Sequence, residues 1–179
     1  FRQSDLHCAF RLGSPDVNQR ASETLESHSE EETVAFGEAI GRSLEAGNIV
    51  LISGELGAGK TRLVQGIARG LDTKRIPRSP TFVLVNQHEG RLTLHHSDLY
   101  RINGPAEVDD LGLLEAASDG GVLAVEWADR ARAAFPDDCL EVRLSRGETP
   151  DDRHISMVAG GRISTELLQK TLNHVRSRA

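Results

Sequence analysis

The chain has 179 residues, 38 % of them apolar and 27 % charged, with a formal net charge of −6 at pH 7. That length and balance suit one domain with an ordinary core and exclude a disordered polyelectrolyte. No run approaches the ~20 apolar residues of a membrane span, and the acidic total argues against a dedicated nucleic-acid coat while leaving room for a local basic patch.

Residues 1–22 lack a clear period and are expected to form a loose N-terminal extension, with residues 23–179 as a single domain. The sequence opens on Phe1 rather than Met, with no basic-then-apolar leader pattern. "SETLESH" predicts a short edge strand. In "SEEETVAFGEAIGRSLEAG" a capping box of Ser29 and Glu32 starts a helix with apolar Val34, Phe36, Ile40 and Leu44, closed at Gly47. "NIVLIS", Asn48 to Ser53, is a buried strand. It runs into "GELGAGKT" and then "KTRLVQGIARGL", where Leu63, Ile67 and Leu71 make one stripe of a helix closed by Gly70.

Two strand-like runs follow, Thr81 to Gln87 and Arg91 to His96, around a turn at Glu89-Gly90. "GPAEVDDLGLLEAAS" predicts one helix, "GVLAVEW" a buried strand, and "ADRARAAF" a short helix stopped by Pro136. "CLEVRLS" and "HISMVAG" predict two late strands joined by a polar turn, and "STELLQKTLNHV" a last helix with a Ser-x-Glu cap. The alternation predicts an α/β fold, a P-loop NTPase-like three-layer sandwich with a mostly parallel central sheet. Cys8 and Cys139 form no C-x-x-C pair, which fits a reducing, cytoplasmic setting.

"GELGAGKT" matches G-x-x-x-x-G-K-[ST] in its required context, a strand before and a helix after. Its glycines let backbone N–H groups converge on phosphates, and the helix adds its positive end. Glu55, Leu56, Gly57, Ala58, Gly59, Lys60 and Thr61 are therefore the candidate nucleotide-binding residues. Lys60 would reach the β- and γ-phosphates and the Thr61 hydroxyl would ligate Mg²⁺. The chain holds 18 arginines and only three lysines, so a lysine in this slot is not background composition.

A second oxygen donor for the metal is needed, and two acids stand at strand ends. Glu126 follows the apolar "VLAV" and ranks first on pattern; Asp98 follows the more polar "LTLHHS". His95 and His96, adjacent on a strand, point to opposite faces, one inward and one exposed, and cannot easily chelate one ion. Trp127, the only tryptophan, is expected to pack. Arg130 and Arg132 suit an arginine lid or a solvated helix face. A guanine-reading N-K-x-D is absent, so the base is adenine or unassigned. "DDLG", Asp109 to Gly112, nominally fits D-x-x-G, but it lies in the predicted helix without an apolar strand before it.

Taken in order, "GELGAGKT", "SPTF" (Ser79 to Phe82), "HSDLYR" (His96 to Arg101) and "VEW" (Val125 to Trp127) resemble the TsaE family. That family is the ATPase component of bacterial tRNA threonylcarbamoyladenosine (t6A) synthesis, and the resemblance spans about residues 28–160. It implies Mg²⁺-dependent ATP hydrolysis supporting TsaD and TsaB, which form t6A at position 37 of ANN-decoding tRNAs, with no threonylcarbamoyl transfer by the chain itself. It further implies that Asp98 is a Walker-B-like acid and that Glu126 serves metal binding and hydrolysis. Ser79, Pro80 and Thr81 would form a switch, with Thr81 near the γ-phosphate and Mg²⁺. Catalytic roles then fall on Lys60, Asp98 and Glu126, and metal binding on Thr61, Asp98 and Glu126.

Arg101 would either lend charge to the phosphates or anchor the switch hairpin. Arg69, Lys74, Arg75 and Arg78, facing only Asp72, make a basic stretch. It is either a solvated loop or a surface for the partner complex or the tRNA backbone. Two other functions stay open on the residues alone: a small-molecule or nucleoside kinase, and a nucleotide-dependent interaction switch.

Overall fold

A computed structural model describes residues 20–77 and 85–177. The expectations for residues 1–19, for Cys8, and for Arg78, Ser79, Pro80 and Thr81 lie outside the described residues.

The chain runs β1 (Ser22–Ser27), α1 (Glu30–Ser43), β2 (Ile49–Ser53), α2 (Lys60–Gly70), β3 (Val85–His88) and β4 (Leu94–Asp98). It continues with α3 (Pro105–Asp109), α4 (Leu113–Ser118), β5 (Val122–Glu126), a 3₁₀ segment (Ala128–Ala134), β6 (Leu140–Arg146), β7 (Arg153–Ala159) and α5 (Arg162–Arg176). One seven-stranded sheet has the order β1-β7-β6-β2-β5-β4-β3. The central run β6-β2-β5-β4 is parallel, and the outer pairings are antiparallel.

Alternation along the strands divides the core into two halves. Val50, Ile52, Val122 and Ala124 pack against Leu63 and Ile67 of α2, Ile40 of α1 and Leu168 of α5. Ile49, Leu51, Leu123 and Val125 pack against Val108, Leu113 and Ala128 on the opposite face. The result is the expected three-layer sandwich. Strands β2, β4 and β5 are mutually parallel, so their carboxyl ends open at one edge, where α/β sheets place their ligands.

Helices α1 and α2 approach backbone to backbone. A Cβ built on Gly66 would lie 2.1 Å from the Val34 carbonyl oxygen, and one on Gly41 would lie 2.2 Å from that of Ile67. The two G-x-x-x-G stripes, Gly37/Gly41 and Gly66/Gly70, are a packing device that hydrophobic periodicity does not reveal.

Local chemistry sets the start of α1. The Ser29 hydroxyl accepts from the Glu32 amide at 3.1 Å, and Glu32 accepts from the His28 amide at 2.7 Å. Four expectations are corrected. Helix α1 ends at Ser43, with Leu44 extended and Arg91 donating to the Gly41 and Leu44 carbonyls, so Gly47 (φ +85°) belongs to the turn beyond. The helix expected over residues 104–118 breaks in two at Gly112, whose φ is +62°. "ADRARAA" winds as 3₁₀, interrupted at Ala131. Helix α5 begins at Arg162, ahead of Ser164, because Asp138 from a distant loop accepts from the Ile163 and Ser164 amides.

Cys139 is 1 % exposed, and burial pushes its thiol up to about 11. In a Cys8→Ser variant at pH 8, a thiol-reactive reagent is expected to label Cys139 only as the protein unfolds. Rapid stoichiometric labelling under native conditions contradicts that.

Candidate functional site

The loop between β2 and α2 has three left-handed glycines, Gly54 (φ +140°), Gly57 (+77°) and Gly59 (+102°), a conformation that side chains with a Cβ resist. Gly59 caps α2, so Lys60 and Thr61 stand at the first helical positions, where free amide groups and the helix dipole point outward.

Lys60 is 5 % exposed. Its Nζ donates to the carbonyls of Gly54 (2.6 Å) and Glu55 (2.8 Å) and sits 3.6 Å over the Trp127 ring. Burial holds its ammonium below the ordinary value, while Glu126, Asp98, Asp129 and Glu55 pull the other way. The group is thus a desolvated cation held by neutral acceptors and a ring face.

Strand parity explains the acidic side. Leu94, His96 and Asp98 on β4, and Val122, Ala124 and Glu126 on β5, alternate toward the α2 layer, and Asp98 pairs with Glu126 in the ladder. Glu126 is 2 % exposed. One of its oxygens accepts from the Thr61 hydroxyl at 3.0 Å, and the other lies 2.9 Å from His96 Nε2. The carboxylate oxygen accepts a hydrogen bond from that nitrogen, and His96 Nδ1 is buried with no partner among the described residues. Asp98 accepts from the Tyr100 amide at 2.9 Å.

Trp127 turns out of β5 in a left-handed conformation (φ +58°), rare for a residue of its bulk, and its ring packs 5.0 Å from that of Tyr100. Arg130 caps this stack at 5.0 Å from the Tyr100 ring.

Lys60, Thr61, Asp98, Tyr100, Glu126 and Trp127 border a cleft of about 530 Å³. Of the loop residues singled out from the sequence, Leu56, Gly57, Gly59, Lys60 and Thr61 line it, together with Asp98 and Glu126. Ala58 is buried behind the loop, and Glu55 contributes its carbonyl to Lys60. Arg101 is at the rim, and Thr81 lies outside the described residues.

Corrections also apply here. His95 and His96 do face opposite sides, but both are buried. Trp127 is a wall of the cleft as well as a packing residue. Arg132 is no lid: it binds Glu141 (2.7 Å) and the Phe135 carbonyl (3.0 Å). Thr33 and Arg153 line the cleft without any sequence motif to announce them, and Tyr100 lines it from within the "HSDLYR" stretch without a role assigned to it there.

A strand–glycine loop–helix unit at the carboxyl edge of a parallel sheet, with a buried lysine and two neighbouring acids, defines a P-loop α/β protein. The sequence model of the family described as "Threonylcarbamoyl adenosine biosynthesis protein TsaE" matches residues 27–155, and the chain belongs to that family. It is 38 % identical over 118 residues to the tRNA threonylcarbamoyladenosine biosynthesis protein TsaE of Treponema pallidum, covering 66 % of this chain and 87 % of that protein. The protein of the same description from Bacillus subtilis is 35 % identical over 145 residues, covering 80 % and 90 %. The crystal structure of Bacillus subtilis YdiB superposes with a TM-score of 0.75 at 29 % identity, covering 88 % of this chain and 98 % of that one. No helix among the described residues is long and apolar enough to cross a membrane.

Proposed function

We propose that the chain hydrolyses ATP with Mg²⁺ in the cytoplasm, in support of the TsaD- and TsaB-containing complex that forms t6A at position 37 of ANN-decoding tRNAs. One observation carries the reading: Thr61 is hydrogen-bonded to Glu126 and Asp98 stands beside Glu126, at the mouth of a loop whose lysine is held in reserve. The names of the relatives support the pathway.

The donor set fits the metal. Among the described residues no three His, Cys, Asp or Glu side chains gather into a cage, whereas Mg²⁺ takes one or two carboxylates plus substrate phosphates. Thr61, Asp98 and Glu126 are hard oxygen donors that would hold it, and when bound it would neutralise charge on the β- and γ-phosphates. Lys60 would leave its two carbonyls to counter phosphate charge, while the loop amides would orient the chain of phosphates. His96 and Thr61 fix Glu126 in one rotamer, so its charge is presented without reorganisation. Thr81 would join the γ-phosphate end. Arg69, Lys74 and Arg75 are exposed and offer a basic surface to the partner complex or tRNA, with Lys74 already paired to Glu89 at 2.8 Å.

Phosphate release from ATP and GTP, alone and with TsaD and TsaB of the same organism, tests the proposal. Weak ATP turnover that changes on adding the pair is expected; turnover indifferent to them, with phosphate passed to an acceptor, favours a kinase. Asp98→Ala and Glu126→Gln should each lower Mg²⁺-dependent turnover by about 10²-fold, the order seen when one preorganised electrostatic group is removed, while retaining nucleotide binding. Parental rates in both variants overturn the metal assignment.

A further inference from the structure

We infer that Arg146 and Arg153, facing each other at the end of the β6–β7 hairpin, are positioning residues that clamp the nucleotide loop by its carbonyls, Arg153 from the cleft wall, and aim its amides at the phosphates. This rests on the nucleotide reading above. The two are direct partners in the antiparallel ladder, where like charges opposite one another are unfavourable. Neither forms an ion pair among the described residues. Both instead donate to the loop: Arg146 Nη2 to the Leu56 carbonyl at 3.2 Å, and Arg153 Nε to the Ala58 carbonyl at 3.0 Å. Arg153 is itself braced, its Nη1 donating at 2.7 Å to the carbonyls of Pro150 and Asp152.

A trans peptide is planar, with C=O and N–H pointing in opposite directions. The Leu56 carbonyl shares its plane with the Gly57 N–H, and the Ala58 carbonyl shares its plane with the Gly59 N–H. Holding those oxygens fixes the direction of those amides, and neither amide donates to another described residue. Gly57 and Gly59 are left-handed glycines, the residues with most backbone freedom to lose, so an external restraint matters most there. The fit is close: a Cβ on Gly57 would lie 3.1 Å from Arg146 Nη2, and one on Gly54 would lie 2.3 Å from the Leu144 carbonyl of the same hairpin. Two guanidinium charges beside the loop also raise its potential for an anion.

ADP affinity, read by calorimetry, and hydrogen exchange of the free protein over residues 54–60 test this in Arg146→Ala, Arg153→Ala, the double variant and Arg153→Lys. Each alanine should weaken ADP binding about tenfold, as expected for loss of a charged hydrogen bond. The double variant should speed exchange at Gly57 and Gly59, and lysine, which lacks the planar fork, should restore less than half of the lost affinity. ADP affinity within twofold of the parent, unchanged exchange, or full rescue by lysine would falsify the clamp, the last by reducing it to bulk charge. Should Arg153→Ala fail to fold, exposed Arg146 supplies both readouts alone. Should the parent itself not bind ADP, the nucleotide reading falls, and exchange in the free chain still decides the clamp.

Discussion

Lys60→Ala is expected to weaken ATP and ADP binding by about 100-fold or more and to abolish turnover. Each charged hydrogen bond to phosphate is worth about 1.5–3 kcal/mol, and each 1.4 kcal/mol is about tenfold in affinity. The same substitution should not destabilise the protein through its charge. Burial depresses the Lys60 pKa, so the folded state binds its proton less readily than the unfolded chain does. The charged lysine therefore costs stability at neutral pH, and that cost fades as pH rises through the folded-state value toward the unfolded one. Lys60→Met, which keeps the stem against the Trp127 ring, should have a melting temperature equal to or above the parent's while losing nucleotide binding, a trade of stability for function. Trp127 is the only tryptophan, so its emission reports Lys60 leaving the ring when nucleotide binds. Equal ADP affinity in Lys60→Met and parent sinks the assignment of this lysine to phosphate.

Gly66→Ala is expected to be strongly destabilising. Its Cβ would sit 2.1 Å from the Val34 carbonyl oxygen and 2.8 Å from the Gly37 Cα, both backbone atoms that cannot rotate away. Exchanging glycine for alanine inside a helix normally gains about 0.5–1 kcal/mol. Overpacking costs about 1–3 kcal/mol even where side chains can yield, and here two helices must separate, so a net loss of about 3 kcal/mol is expected in urea unfolding. Gly104→Ala is the control: its backbone is extended (φ 175°) and nothing lies within 4 Å of the added carbon, so a change below about 0.5 kcal/mol is expected. A loss in Gly66→Ala no larger than in Gly104→Ala contradicts the close approach. The site would feel this change too, since α2 carries Lys60 and Thr61 while α1 brings Thr33 to the cleft.

Much of the site was legible in the chain because it is local. The eight residues from Gly54 to Thr61 carry their own turn, helix start and lysine, and they occupy the places their pattern predicts. Glu126 was legible as an acid ending an apolar run, and Asp98 as part of a family motif. Their meeting was not, because it depends on β4 and β5 pairing with Asp98 opposite Glu126, a register that no single strand encodes. His96 illustrates the boundary. Alternation separates it from His95, but only the ladder puts its ring against Glu126 instead of in solvent. The break at Gly112 was missed because the helical pattern on either side continues across it, and one left-handed glycine overrides that pattern.

By itself the sequence determined the strand–loop–helix unit, the layer class and the family, since each rests on contacts within a few residues or on motifs kept in order. Tertiary structure alone decided which strands flank β2, how closely α1 meets α2, that Trp127 walls the cleft, and that arginines some 90 residues away in the chain hold the loop. Strand order and helix approach are fixed by burying two apolar faces at once, a condition on the whole chain that no short stretch can satisfy alone.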